Sequence, residues 1–244
     1  MVLSRKGSHM KNPDFFFQQY DKINWINQEN THLNLSVNQF IIDNVLSKKT
    51  NSFSLFDIGS GIGFFIGMVK DKYGNSAHIE GCEPSKKSYD FFTNISNVNK
   101  ENVTIYPETF QNLNIDRKFN FITAIYVFPH FVEVDLVTVT RKISQMLNDN
   151  GQLVIVVSNE EYLRNKLETK RDLFIEKNDI EFKGKKYKEY LHYVEIPGMG
   201  TVIDYDREED YYKDLLEDNG LKLVKKDKLS SDSYICTVFT FEKK

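Results

Sequence analysis

The chain has 244 residues, of which 40% are hydrophobic, so it is long enough for one domain with a sizeable core. Its 32 basic and 35 acidic residues leave a formal charge of −3 and a pI near 6.0, which argues against a nucleic-acid-binding protein. No apolar run approaches the roughly 18 to 20 residues of a membrane helix. The two cysteines, Cys82 and Cys236, cannot form a disulfide framework. We therefore expect a cytoplasmic protein that binds neither nucleic acid nor membrane.

The first nine residues are set apart from the rest. Gly7-Ser8-His9-Met10 is typical of the remnant of a cleaved expression tag. No apolar segment follows the charges at Arg5 and Lys6, as it would in a signal peptide. We therefore interpret residues 1–9 as a tag remnant and residues 10–244 as a single domain.

Residues 10–50 are expected to form a helical cap at the N-terminus. The stretch 14–28 is rich in aromatic residues and has an irregular helical pattern. A more regular helix follows, for which Ser36 and Gln39 predict a capping box at the start.

Strands and helices alternate over residues 51–158. Repeated alternation of this kind predicts a parallel sheet with helices on both faces. The last strand, 153–157, is a continuous run of Val, Ile and Leu, which is typical of a strand buried on both faces. The predicted order is strand 53–58, helix 64–73, strand 77–82, helix 85–95, strand 103–106, strand 120–127, a helix that ends near 150, and strand 153–157.

Residues 159–207 interrupt this alternation and form a predicted insert. A charged helical stretch is followed by two strands, 187–196 and 201–207, which Pro197-Gly198-Met199-Gly200 joins as a hairpin. The closing segment 208–244 is predicted to contain a helix (208–218), a turn (219–220) and two strands (221–225 and 234–241).

A glycine-rich turn follows the first predicted strand. Its glycines Gly59, Gly61 and Gly63 would let a backbone approach a ligand closely at the start of a helix. The spacing G-x-G-x-x-G/A of dinucleotide-binding turns is absent. Asp57 lies two positions before the first glycine, where it would repel a pyrophosphate. The turn therefore suits a ligand with a cationic group.

A second acidic residue, Glu83, ends the second predicted strand. A carboxylate at that position can accept hydrogen bonds from both hydroxyls of a ribose. The edge of the sheet thus offers a glycine turn, one acid for an amine and one acid for a ribose. An adenosine that carries an amino acid would satisfy all three.

These residues resemble the class I S-adenosylmethionine-dependent methyltransferases, particularly their small-molecule branch. The resemblance implies a Rossmann-like, doubly wound α/β fold. The implied fold has a seven-stranded, mostly parallel sheet with an antiparallel last strand, N-terminal helices, and an inserted β-hairpin and helix that form a lid. The matching segments are 57–63, 83–85, 119–122, 126–131, 151–158 and 219–221.

The same resemblance implies S-adenosylmethionine as cofactor and S-adenosylhomocysteine as product. Asp57 and the glycine turn would hold the methionine part, and Glu83 the ribose. An Asp usually occupies about the position of Thr109, so the adenine contact could come from Glu108, from the Thr109 hydroxyl or from backbone N–H groups. The implied cofactor-binding residues are Asp57, Gly59, Ser60, Gly61, Gly63, Glu83, Pro84, Glu108, Thr109, Phe110, Tyr126 and Tyr20.

His130 is the candidate catalytic residue. It follows the fourth strand, at the point where open parallel sheets bind ligands, and histidine titrates near neutrality. His130 could instead form a hydrogen bond with the backbone at the start of a helix. Methyl transfer does not always require a base, so a catalytic histidine need not be present. The expected substrate-binding residues are His130, Phe131, Tyr190 and His192. Tyr190 and His192 share one face of a predicted strand and Tyr187, Leu191 and Tyr193 the other, and either face could line a pocket.

The leading hypothesis is a methyltransferase that acts by in-line transfer to an oxygen or nitrogen of a small-molecule acceptor, as a monomer or homodimer. A non-catalytic cofactor-binding subunit and a protein methyltransferase remain open, and a nicotinamide oxidoreductase is disfavoured by the glycine spacing. A basic excess over residues 164–188 could attract an anionic substrate group, although a solvated surface explains it as well. The cysteines and the five histidines lack ligand spacing, so no metal site is expected.

Overall fold

The computed structural model describes residues 32–48, 52–196, 200–230 and 234–244. The strands are β1 (Phe53–Ile58), β2 (Ala77–Cys82), β3 (Val103–Tyr106), β4 (Phe119–Ile125), β5 (Leu147–Ser158), β6 (Phe174–Phe182), β7 (Lys185–Ile196), β8 (Gly200–Arg207), β9 (Leu221–Ser230) and β10 (Ile235–Lys243). The helices are α1 (His32–Asn44), α2 (Phe64–Tyr73), α3 (Lys86–Asn94), α4 (Glu133–Met146), α5 (Glu160–Thr169) and α6 (Glu209–Asp218).

Seven strands form the main sheet, in the order β3-β2-β1-β4-β5-β10-β9. The first five strands are parallel to one another, whereas β10 is antiparallel to both β5 and β9. The predicted seven-stranded, mostly parallel sheet with an antiparallel last strand is therefore confirmed. The chain order reverses between β1 and β4, so the carboxyl ends of these strands form the switch point at which such sheets bind ligands.

Both faces of the main sheet are buried, which explains the apolar runs in its central strands. Leu55 and Val154 pack on one face with residues of α1 and α2. Phe56 and Ile155 pack on the other face with residues of α4 and α6. Because successive side chains of a strand alternate between faces, only a strand that is apolar at every position can fill both layers.

The insert contains one more strand than the sequence predicted. β6, β7 and β8 form a separate antiparallel sheet, and the predicted β7–β8 hairpin is present, although its loop, 197–199, lies outside the described residues. β6 joins β7 through Lys183 and Gly184, which both have left-handed backbones (φ 52° and 77°), as a two-residue hairpin turn requires. Only Ile180 is buried in β6, so the strand carries no apolar pattern.

Several predicted boundaries were wrong. β4 ends at Ile125 and not at residue 127, and β9 continues to Ser230 and not only to residue 225. α1 begins at His32, so Ser36 lies within the helix and does not cap it. α4 ends at Met146 and not near residue 150, because Leu147 already pairs with β4 as the first residue of β5. Asn150, with a φ of 59°, lies within β5 and not in a helix-ending turn.

Two other predictions concern residues outside the described ranges. These are the tag remnant, 1–9, and the irregular helix 14–28 with Tyr20. Within the described ranges, no helix combines the length and the apolar character needed to cross a membrane.

Candidate functional site

The turn between β1 and α2 has a conformation that requires glycine. Gly59, Gly61 and Gly63 have φ values of 69°, 55° and 81°, in the left-handed region that other residues rarely adopt. A β-carbon at Gly63 would lie 2.0 Å from Cδ2 of Phe92, and one at Gly59 would lie 2.6 Å from Cγ2 of Val127. The three glycines therefore permit both the backbone path and its close packing.

Ser60 and Gly81 fix this turn against β2. The Ser60 N–H donates to the Cys82 carbonyl at 2.9 Å, and the Ser60 hydroxyl donates to the Asp57 carbonyl at 3.0 Å. A β-carbon at Gly81 would lie 2.3 Å from that hydroxyl oxygen, so β2 needs glycine here. Our sequence analysis missed Gly81, although an isolated glycine within a strand is a known sign of close backbone approach.

Glu83 is held beside the glycine turn. Its Oε2 accepts the Gly61 N–H and its Oε1 accepts the Ser85 N–H, each at 2.7 Å. The residue is only 8% exposed. These two bonds orient the carboxylate. The carboxylate is thereby fixed at the carboxyl end of β2.

Asp57 is buried at the end of β1. The Thr123 hydroxyl donates to its Oδ1 at 2.6 Å. Burial raises the pKa of Asp57 from 3.8 to about 7, although hydrogen bonds from Thr123 and Ser60 act in the opposite direction. A cationic group next to this carboxylate would favour its ionised form.

The turn after β3 is stabilised from within. Glu108 is exposed, and its Oε1 accepts the Thr109 N–H at 2.8 Å and an amide N–H of Asn112 at 3.2 Å. The Phe110 ring lies in the core, with the Lys142 ammonium 4.8 Å from its centroid. The prediction that the turn 108–110 flanks an adenine stays a prediction, with the Phe110 ring forming part of the core beneath the turn.

Tyr126 has a left-handed backbone directly after β4. A φ of 59° is uncommon for a residue other than glycine, and such strain is concentrated at functional sites. The Tyr126 ring packs 6.0 Å from the Tyr234 ring, and burial raises the pKa of its hydroxyl well above the usual value. The strained backbone thus lies at the switch point, while the side chain packs against the interior.

His130 contacts the insert. It ends a short 3-10 helix in which its N–H donates to the Val127 carbonyl at 2.9 Å. Its Nδ1 lies 3.0 Å from Oδ1 of Asp204 in β8. Phe131 is buried in the main core, and its carbonyl accepts a hydrogen bond from Arg207 at 2.9 Å. Our sequence analysis missed Asp204 and Arg207, since nothing in the pattern of β8 indicates which part of the core it contacts.

The two residues predicted on one face of β7 have different surroundings. His192 is 1% exposed, and its Nε2 lies 2.8 Å from Oδ2 of Asp206, which also accepts the Ser158 hydroxyl at 3.0 Å. Burial lowers the pKa of His192, but the hydrogen bond and the charge of Asp206 outweigh it, so the pKa is raised. Tyr190 packs instead with Leu163 and Leu167 of α5.

Strand β8 crosses the carboxyl edge of the main sheet. Three of its residues share one face because they alternate along the strand. Val202 packs with Ile62 of the glycine turn after β1. Asp204 contacts His130 after β4, and Asp206 contacts Ser158 at the end of β5. The contacts follow the order β1, β4, β5 of the sheet, so the insert covers the switch point.

The remaining polar groups give no sign of a metal site. Within the described residues, no group of three or more His, Cys, Asp or Glu side chains could hold a metal ion. Part of the basic excess over 164–188 is compensated by acids outside the segment, where Lys183 pairs with Asp218 and Lys185 lies 2.8 Å from Asp214.

A family model described as a methyltransferase domain matches residues 20–226. The chain belongs to this methyltransferase family. The match spans the glycine turn, Glu83, His130 and the insert, and it confirms the resemblance to class I S-adenosylmethionine-dependent methyltransferases. No curated protein sequence matches the chain significantly.

Solved structures share the fold. The PH0226 protein from Pyrococcus horikoshii OT3 has a TM-score of 0.67 at 14% identity, covering 93% of this chain and 99% of that one. Magnesium protoporphyrin IX methyltransferase from Synechocystis PCC 6803, with bound S-adenosylhomocysteine, has a TM-score of 0.64 at 12% identity and 97% coverage of both chains. The glycopeptide N-methyltransferase MtfA, with S-adenosylmethionine, has a TM-score of 0.62 at 11% identity, covering 85% and 94%. At these identities the likeness extends to the fold alone.

Proposed function

We propose that the protein transfers a methyl group from S-adenosylmethionine to an oxygen or nitrogen of a small-molecule acceptor. The observation that carries this proposal is the pair of carboxylates at the switch point. Glu83 is oriented by backbone N–H groups of Gly61 and Ser85, and Asp57 is buried one strand away. Two acids suit a ligand with a cationic amine and a ribose diol and disfavour a pyrophosphate.

Each carboxylate has a distinct task in this assignment. Asp57 would bind the ammonium group of the amino acid part, because the ion pair would offset the cost of its own burial. Glu83 would accept hydrogen bonds from the ribose hydroxyls. The left-handed glycines would bring backbone close to the ligand between these two groups. When bound, S-adenosylmethionine supplies an electrophilic methyl group on a sulfonium sulfur.

The cover formed by β8 favours a small acceptor. An acceptor would have to lie at the carboxyl edge of the main sheet, beside the face of β8 that carries Val202, Asp204 and Asp206. Holding two reactants in line in a water-poor site can lower a barrier by about 7 to 11 kcal/mol. His130 would contribute proton transfer at this point, which adds about 10²- to 10⁴-fold where the acceptor must lose a proton.

Calorimetric titration with S-adenosylhomocysteine tests the proposal. Wild type, Glu83→Gln and the control Glu101→Gln, which changes an exposed residue of the same type, are compared. Gln at position 83 presents an amide N–H₂ where a carboxylate oxygen now accepts a backbone N–H. We expect binding weakened by about 1 to 3 kcal/mol, or roughly 5- to 150-fold, for Glu83→Gln alone.

Equal affinities of wild type, Glu83→Gln and Glu101→Gln would contradict the role of Glu83 in binding the ribose. The absence of binding by folded wild-type protein would contradict the proposed function. Strong binding without methylation of any small acceptor would favour the non-catalytic or protein-directed alternatives.

A further inference from the structure

A histidine–carboxylate contact joins the insert to the loop after β4. Nδ1 of His130 and Oδ1 of Asp204 are 3.0 Å apart, and both side chains are largely buried, with 19% and 12% exposed. In β8, Asp204 lies between Val202, which packs against the glycine turn, and Asp206, which contacts the end of β5. The pair therefore lies over the end of β4, at the centre of the covered switch point.

We propose that Asp204 is the positioning residue for His130, which would make the insert responsible for the tautomer of the candidate base. This inference rests on the proposed function. Among the described residues, Asp204 Oδ1 is buried without a hydrogen-bond partner, although Nδ1 of His130 lies 3.0 Å away. A carboxylate so close to Nδ1 favours the neutral tautomer with its proton on Nδ1, because the other tautomer would place the Nδ1 lone pair against the negative charge. Nε2 then carries the lone pair that can take a proton.

The chemical step balances with this assignment. The acceptor atom gives its proton to Nε2 of His130 and forms a bond to the methyl carbon of the sulfonium donor. The carbon–sulfur bond breaks with its electron pair on sulfur, which leaves a neutral thioether. The resulting imidazolium is stabilised by the Asp204 carboxylate, as in other acid-oriented histidine bases.

Other charged groups surround the pair without replacing it. On β7, His192 pairs with Asp206, and Lys166 of α5 faces both Asp204 and Asp206 at longer range. Glu133 begins α4 close to His130 in the chain. Asp204 contacts His130 directly, at 3.0 Å.

The second His–Asp pair has a different role. His192 is almost fully buried, and Asp206 also accepts the Ser158 hydroxyl, which in turn contacts the Tyr234 hydroxyl at 2.6 Å. These bonds tie β7 and β8 to the ends of β5 and β10. The pair therefore anchors the insert and serves as an internal reporter of its docking.

Long-range ¹H–¹⁵N correlation spectra of histidine-labelled protein test the inference without any acceptor. Spectra are recorded at rising pH until the ring signals no longer change, so that the neutral forms of the rings are compared. His130→Gln assigns the His130 signals. Asp204→Ala is compared with wild type and with Asp179→Asn, an exposed acid on β6 of the same insert.

We expect His130 to be mostly in the Nδ1–H form in wild type and in Asp179→Asn, and to shift toward the Nε2–H form in Asp204→Ala. Unchanged His192 signals would show that the insert remains docked. If Asp204→Ala disturbs them, Asp204→Asn, which keeps the shape of the side chain, is measured in its place. An Nε2–H form in wild type, or a tautomer that ignores the loss of the carboxylate, would overturn the inference.

Titration of the same variants with S-adenosylhomocysteine separates this inference from the proposed function. We expect Asp204→Ala to bind it within about twofold of wild type, since the carboxylates that hold the cofactor are Asp57 and Glu83. If the wild-type protein does not bind S-adenosylhomocysteine, the proposed function is refuted, whereas the tautomer of His130 is still determined by the spectra.

Discussion

Gly63→Ala is expected to destabilise the protein because of a specific clash. Gly63 has a φ of 81° and begins the turn into α2, and a β-carbon there would lie 2.0 Å from Cδ2 of Phe92. A left-handed backbone costs a residue with a β-carbon about 1 to 2 kcal/mol. Moving a buried ring to relieve an overlap of this kind costs about 1 to 3 kcal/mol more.

Gly220→Ala is the matched control for backbone strain. Gly220 also has a φ of 81°, but the nearest atom to its added β-carbon is Oγ of Ser144 at 4.0 Å. Urea unfolding followed by circular dichroism gives the free energy of unfolding of both variants and wild type. We expect Gly63→Ala to lose about 1 to 3 kcal/mol more than Gly220→Ala. Equal losses would refute the reasoning, since the clash would then contribute nothing.

Three further changes test other parts of the structure. Burial raises the pKa of the Asp57 carboxyl from 3.8 to about 7, so the unliganded folded protein binds the carboxyl proton more tightly than the unfolded chain does. The folded state therefore loses stability as the pH rises from about 4 to about 7. By urea unfolding, the free energy of unfolding of Asp57→Asn should therefore exceed that of wild type by up to about 4 kcal/mol above pH 7 and by little near pH 4. An equal difference at both pH values would argue against a buried, protonated Asp57. Arg207→Met should cost about 3 to 5 kcal/mol by the same method, because it leaves Glu189 buried without its cation, and a neutral result would mean that the pair is not buried as described. Tyr190→Ala should lower the melting temperature while the affinity for S-adenosylhomocysteine stays unchanged, since the ring packs on α5; a large loss of affinity would assign Tyr190 to the site.

The cofactor side of the fold could be predicted because its signals are local. β1, β2 and α2 begin and end at the predicted residues, since each is a short apolar segment bounded by glycines or polar residues. The glycine turn and Glu83 follow at fixed distances along the chain. Their chemistry could therefore be inferred before any tertiary contact was known.

The insert could not be predicted to the same depth, because its contacts are distant in sequence. β6 is an edge strand with one buried residue, so neither alternation nor an apolar run marks it. Asp204 and Asp206 are ordinary acids in a strand pattern, and only the path of β8 across the sheet brings them to His130 and Ser158.

The central claim is that two carboxylates at the switch point select an adenosyl amino acid over a pyrophosphate-bearing dinucleotide. Calorimetric titration of the wild-type protein with S-adenosylhomocysteine and, in parallel, with NADH tests it most directly. The account predicts micromolar binding of S-adenosylhomocysteine, about −8 kcal/mol, and no measurable binding of NADH. Binding of NADH with equal or higher affinity would contradict it.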